Sequence, residues 1–123
     1  MSAPTVVNIS EKLAKFSDHW NPRIVGRYNG NEVRVSKLLG EFTWHSHADT
    51  DELFLVLKGE LKIEFRDSVR TIRPGEMIVV PKGVEHRPVA DEEAEILLFE
   101  AADLLNTGNV VDERFTAPKG VNA

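Results

Sequence analysis

Polar and apolar positions alternate with a period of two across Leu61-Lys62-Ile63-Glu64-Phe65, the signature of a strand with one face in a core and one in water. Comparable short runs, bounded by glycine, proline and asparagine, recur along the chain. They predict strands over Arg23 to Tyr28, Glu32 to Leu39, Phe42 to His47, Glu52 to Lys58, Glu60 to Arg66, Val69 to Arg73, Met77 to Val80, Glu85 to Val89 and Ala94 to Phe99. Asn29-Gly30 between the first two favours the positive φ of a tight hairpin. Two runs, Leu53-Phe54-Leu55-Val56-Leu57 and Met77-Ile78-Val79-Val80, are apolar at every position. Both of their faces should be covered, one by the core and the other by a further layer or subunit, which predicts a twofold homodimer. Ser10 to Ser17 reads as a short helix, with Ser10 as N-cap and Leu13 and Phe16 on one face, closing one end of the fold. The segment from Asp103 to Asp112 is expected to be an ordered arm that frays after Phe115.

Close spacing of six prolines and eight glycines suits an all-β sandwich or barrel and argues against βαβ units. At 123 residues the chain is the size of one domain. We divide it into an N-terminal helix and strands at 8–39, a central segment at 40–86, and a C-terminal strand and arm at 94–123. A formal charge of −5 offers no basic field for nucleic acid or an anionic membrane. Cysteine is absent, which excludes disulfides, thiolate ligands and thiol nucleophiles. No run approaches the ~20 apolar residues of a membrane span, and the start lacks the pattern of a signal peptide, so a cytoplasmic location is expected.

Chemistry concentrates in the central segment. His45 and His47 are two apart, so on a strand their imidazoles leave the same face and can grip one ion. Taken alone, the pair would equally suit two polar strand residues facing solvent. Glu52 follows across the polar stretch Ala48-Asp49-Thr50-Asp51, which can turn the chain back so that its carboxylate joins the imidazoles. His86 follows Gly75, Pro81 and Gly83, which bracket a strand and a tight turn able to bring it to the same point. Three nitrogens and one oxygen suit a borderline divalent metal and, in an octahedral shell, leave two positions open.

The segment resembles the cupin superfamily in both of its motifs, Gly40-x4-His45-x-His47-x4-Glu52-x6-Gly59 and Gly75-x5-Pro81-x-Gly83-x2-His86. It departs from them in having one residue fewer than usual between Gly40 and His45, and Ala90 where an asparagine is frequent. The resemblance implies a double-stranded β-helix (jelly-roll) barrel holding one divalent transition metal (Fe, Mn, Ni, Zn or Cu) through His45, His47, Glu52 and His86. Many short chains of this appearance are named for sugar-phosphate isomerases. The residues show no phosphate clamp, with Lys82, Arg87 and Arg73 candidates by proximity alone.

Beyond the ligands the signals weaken, and no catalytic residue is assigned. Thr43 shares the histidines' parity, and Phe54, Val56, Met77 and Val79 are candidates to line a pocket, although core packing explains apolar strand residues equally well. Trp44 has the opposite parity and should face away. Asp49 and Asp51 read as a solvated turn, and His19 as a surface histidine. Three readings stay open: an enzyme, with isomerase and dioxygenase chemistry both compatible, acting on a small oxygen-rich metabolite; a non-catalytic module that binds or senses a small molecule or metal; and a metal that only braces the fold.

Overall fold

The computed structural model describes residues 3–102, 106–109, 116–118 and 120–123. It contains one helix, α1 (Ile9–Leu13), and seven strands: β1 (Arg23–Tyr28), β2 (Asn31–Glu41), β3 (Glu52–Lys58), β4 (Leu61–Glu64), β5 (Val69–Ile72), β6 (Met77–Val80) and β7 (Arg87–Ala101). All strand pairs are antiparallel, in the order β1-β2-β7-β3-β6, with β4 joining both β5 and β7. The sheet is not closed into a barrel.

Strand β7 organises the rest. Along one edge it pairs with β2, and along the other its start (Arg87 to Val89) pairs with β4 and its later part (Glu95 to Phe99) with β3. The predicted strands Glu85 to Val89 and Ala94 to Phe99 are thus one continuous element. Between them the register against β2 slips from Leu38↔Ala94 to Gly40↔Ala90, and the exposed acids Asp91, Glu92 and Glu93 are carried as a bulge. Gly40, at φ +86, supplies the left-handed conformation beside that slip.

Both halves of β7 face one core. Val56, Leu61 and Ile63 are fully buried there with Ile72, Val80, Ile96 and Leu98, each such burial contributing about 1.5–3 kcal/mol. The alternation of β4 is realised, with Leu61 and Ile63 inside and Lys62 and Glu64 half-exposed. On β3, Phe54 and Val56 are buried, whereas Leu53, Leu55 and Leu57 are half-buried on the outer face.

The hairpin between β1 and β2 is built as predicted, with Asn29 and Gly30 both at positive φ between the paired residues Tyr28 and Asn31. The helix is shorter than the expected Ser10 to Ser17, and it is capped by Asn8, whose side chain accepts from the Glu11 N–H at 3.0 Å. Phe42 to His47 is not a strand: β2 ends at Glu41, and beyond it only His45 makes a β-bridge, to His86. Residues 103–105 and 110–115 of the predicted arm lie outside the described residues. Fraying beyond Phe115 is not found at 120–123, where Ile24 N–H donates to Val121 O at 2.7 Å and Ala123 N–H donates to Ile24 O at 3.0 Å. Lys12 Nζ also donates to Ala123 O, so α1 and the chain end meet at β1.

Candidate metal centre

Four buried side chains converge where the end of β2, the start of β3 and the start of β7 meet: His45, His47, Glu52 and His86, all at most 4% exposed. One donor atom from each lies within 4.8 Å of every other. That spacing admits a single ion with bonds of ~2.0–2.2 Å after small adjustments. The turn before β3 is held by Asp51, whose carboxylate accepts from the Lys82 N–H at 2.9 Å, and Gly83 N–H donates to His47 O at 2.8 Å. These bonds tie the two loops that carry the ligands to each other.

The imidazoles are oriented by backbone. His45 Nδ1–H donates to Thr43 O and His86 Nδ1–H donates to Val84 O, each at 2.9 Å. A carbonyl can only accept, so both rings carry their proton on Nδ1 and present the Nε2 lone pair. For His86 that lone pair lies 3.2 Å from Glu52 Oε1, and His47 Nε2 lies 3.3 Å from the same oxygen. Neither ring nitrogen of His47 has a hydrogen-bond partner. Lone pairs aimed at a carboxylate, together with an orphaned buried imidazole, are the arrangement a shared cation resolves. The donor set therefore fits a divalent metal.

Electrostatics agree. Burial, reinforced by His86, lowers His45 to about 4, so its ring is neutral and ligand-ready at neutral pH. Burial alone would raise Glu52, but His47 and His86 beside it outweigh this and hold its carboxyl below the usual range. Glu100 goes the other way: burial and the neighbouring Glu52 carboxylate push it well above the usual range, against the pull of Arg34.

A small cleft of about 30 Å³ adjoins the centre. Its apolar wall comprises Trp20, Leu38, Phe42, Phe54, Ile96 and Leu98, and the metal-site side chains reaching it are His45 and Glu52. Trp20 stacks on Phe42 at 4.5 Å and anchors its indole Nε1–H on Leu39 O at 2.8 Å. Of the predicted lining residues, only Phe54 borders this cleft. Val56 is core, and Thr43 serves through its carbonyl. Met77 and Val79 are 55% and 45% exposed on the outer face, because Glu52 pairs with Val80 and Phe54 with Ile78, which turns the odd-numbered residues of β6 outward.

The other candidates lie apart from the centre. Trp44 faces away, with Arg66 stacked over its ring at 3.9 Å. His19 pairs with Glu93 at 2.7 Å, and Asp49 is exposed. Arg87 is taken up by Glu64 and Glu41, Arg73 lies 3.7 Å from Glu60, and Lys82 is exposed. What the sequence reading missed is a buried polar row: Glu32, Arg34 and Ser36 on β2 and Glu100 on β7. Arg34 bonds Glu32 Oε1 through Nε and Glu100 Oε1 through Nη1, both at 3.0 Å. The available signal was parity, since Glu100 shares the inward phase of Ile96 and Leu98.

The family model for the cupin domain matches residues 32–100, more than half of the chain. The chain is a cupin. A cupin-2 domain protein of Shewanella frigidimarina, known from its crystal structure, is 48% identical, with 78% of this chain and 94% of that one covered and a TM-score of 0.77. Protein NMB1881 of Neisseria meningitidis is 35% identical, with 80% and 100% covered and a TM-score of 0.73. The uncharacterised protein YdbB of Bacillus subtilis is 39% identical over 80 residues, which is 64% of this chain. The match spans 65% of YdbB's own length. These likenesses support the double-stranded β-helix that the motifs implied, with its short N-terminal helix.

Proposed function

We propose that this cupin binds one divalent transition metal through His45, His47, Glu52 and His86 and acts as a metal-dependent enzyme on a small oxygen-bearing metabolite. The observation that carries the reading is the cleft beside the donor set: a site that only braced the fold would be closed off, whereas here His45 and Glu52 border a space open to a ligand. When bound, the metal supplies Lewis-acid polarisation or an open coordination position. The chain's own residues hold that position: Thr43 and Val84 fix the ring tautomers, and the apolar wall excludes water. Isomerase and dioxygenase chemistry both fit these features.

The decisive experiment is metal analysis of protein purified without chelators. It is followed by oxygen-consumption and isomerisation assays of the reconstituted protein across a metabolite panel. Metal-dependent turnover lost in His47→Ala supports the enzyme. Saturable binding without turnover supports the binding module instead, and absence of bound metal overturns the site.

The same proposal includes self-association, the whole chain acting as one domain, and a cytoplasmic location that cell fractionation checks. Leu53, Leu55, Leu97 and Phe99 are half-buried beside exposed Met77 and Val79 on the outer sheet face, a suitable surface for a second copy. Light scattering of the wild type and of Met77→Lys tests this: a dimer that becomes a monomer supports it, and a wild-type monomer refutes it.

A further inference from the structure

Antiparallel register sets a row of acids across three neighbouring strands. Glu32 on β2 pairs with Glu100 on β7, and one step beyond Leu53↔Phe99 the register of β3 against β7 brings Glu52 opposite Glu100 as well. Facing residues of a strand pair stand about 4.5–5.5 Å apart at Cβ, so adjacent carboxyls in this row are within reach of each other. All three acids are buried, together with Arg34, which shares the face of Glu32 two residues on. Buried like charges side by side repel, and core packing gives no reason for such a row.

Hydrogen bonds resolve the repulsion. Arg34 commits both Nε and Nη2 to Glu32 Oε1 and gives Glu100 Oε1 a single bond, from Nη1 at 3.0 Å. Arg27 lies 3.7 Å from the second Glu32 oxygen, so Glu32 is the ionic partner of the arginines. No donor among the described residues reaches Glu100 Oε2, yet the Glu100 carboxyl is hydrogen-bonded to Glu52. Two carboxyls bond only through a proton. A metal-ligating Glu52 is the carboxylate, so the O–H belongs to Glu100 and Glu52 accepts.

We infer that Glu100 is a positioning residue of the metal centre: Arg34 fixes its Oε1, and its Oε2–H donates to Glu52 and holds that carboxylate with Oε1 toward His47 and His86. This rests on the proposal that the four residues hold a divalent metal. Glu52 Oε1 lies 3.2 Å from His86 Nε2 and 3.3 Å from His47 Nε2, so the aim is already set in the unloaded site. Arg34 on β2 thereby acts on the centre through Glu100, without touching a ligand itself. A ligating carboxylate supported by a fixed donor loses less freedom when the ion binds.

The test is competition of cobalt(II) against a chelator, with the visible spectrum of the bound ion recorded. Glu100→Met cannot donate, so it should weaken cobalt(II) about 10–100-fold and alter the spectrum. Glu100→Gln keeps an oxygen for Arg34 and an N–H for Glu52, and should stay within about threefold of wild type with an unchanged spectrum. Glu100→Asp is too short to bridge Arg34 and Glu52, so it should resemble the methionine variant, and it carries the test if that variant fails to fold. Ser36→Ala, in the same cleft but outside the row, should alter neither readout. A loss in Glu100→Gln as large as in the variants without the bridge, wild-type affinity in those variants, or an equal loss in Ser36→Ala each overturns the inference. Wild-type protein that takes up no cobalt refutes the metal reading and the positioning role with it. Cobalt bound equally by wild type and the variants without the bridge refutes the positioning role alone.

Discussion

His45 and His86 grip each other through their backbones, the N–H of each donating to the carbonyl of the other at 3.1 and 2.9 Å. Their rings stand 4.3 Å apart between centroids, and each is anchored to the carbonyl two residues before it. One bridge thus carries two ligands from distant parts of the chain and fixes both tautomers. Replacing either by alanine should lower metal affinity more than the ~10–100-fold typical of losing a supporting hydrogen bond. His19→Ala, outside the site, should leave metal content unchanged. Elemental analysis after dialysis against a weak chelator checks both.

Protonation of His45 gives a pH dependence with a definite sign. Its folded-state value is lowered by burial to about 4 from 6.5, so between these values the unfolded chain takes up a proton that the folded chain does not. Stability should fall as pH drops through this window, by up to about 3 kcal/mol at ~1.4 kcal/mol per pH unit. Urea unfolding of chelated protein at pH 7 and pH 4.5 measures it, with His45→Asn as reference. Carboxylates titrate in both proteins, so the wild type should lose more than the variant. Equal losses would remove His45 as the cause.

Arg34 is the countercharge of a buried acidic row, set between Glu32 and Glu100 with its side chain 5% exposed. Removing one partner of such a group strands the others in a low dielectric. Arg34→Met should therefore cost about 3–5 kcal/mol, and Glu32→Gln added to it should restore part of the loss. Chemical denaturation of the single and double variants measures the coupling, and an additive result would contradict it.

The donor set was readable because metal ligation restricts residue type and spacing together: His45, His47, Glu52 and His86 are few, distinctive and local to two turns. Strands β1, β3 and β6 were readable with their limits, since their apolar runs end at turn residues. Pairing is another matter. That Met77 and Val79 face outward depends on the register Glu52↔Val80, which no local pattern states. The union of two predicted strands into β7 depends on β2 lying beside both, so that Asp91 to Glu93 are tolerated as a bulge. Ser36, Arg34 and Glu100 escaped notice because a polar residue inside a strand ordinarily marks the wet face. Here the inward face is itself polar at one end, where the cleft lies.

Gly108 joins the later part of the chain to the metal centre. It has φ +57, and a Cβ placed on it would lie 2.1 Å from Ser46 O and 3.1 Å from His47 Nδ1. Asn109 holds the contact by donating its N–H to Ser46 O at 3.0 Å and accepting from Ser46 N–H through Oδ1 at 2.8 Å. This segment therefore covers the outer edge of His47, and nearby Thr107 is fully buried. Gly108→Ala cannot keep that approach, because the nearest atom is backbone and cannot swing aside. The segment must lift, at a cost of about 1–3 kcal/mol. Once lifted, it exposes His47 to solvent and to chelator. Asn109→Ala, which removes only the side-chain bond, should show a milder form of the same defect. Metal release to excess chelator, followed in stopped flow, should quicken in the order wild type, Asn109→Ala, Gly108→Ala. Identical release rates across the three would mean that the segment does not guard the site.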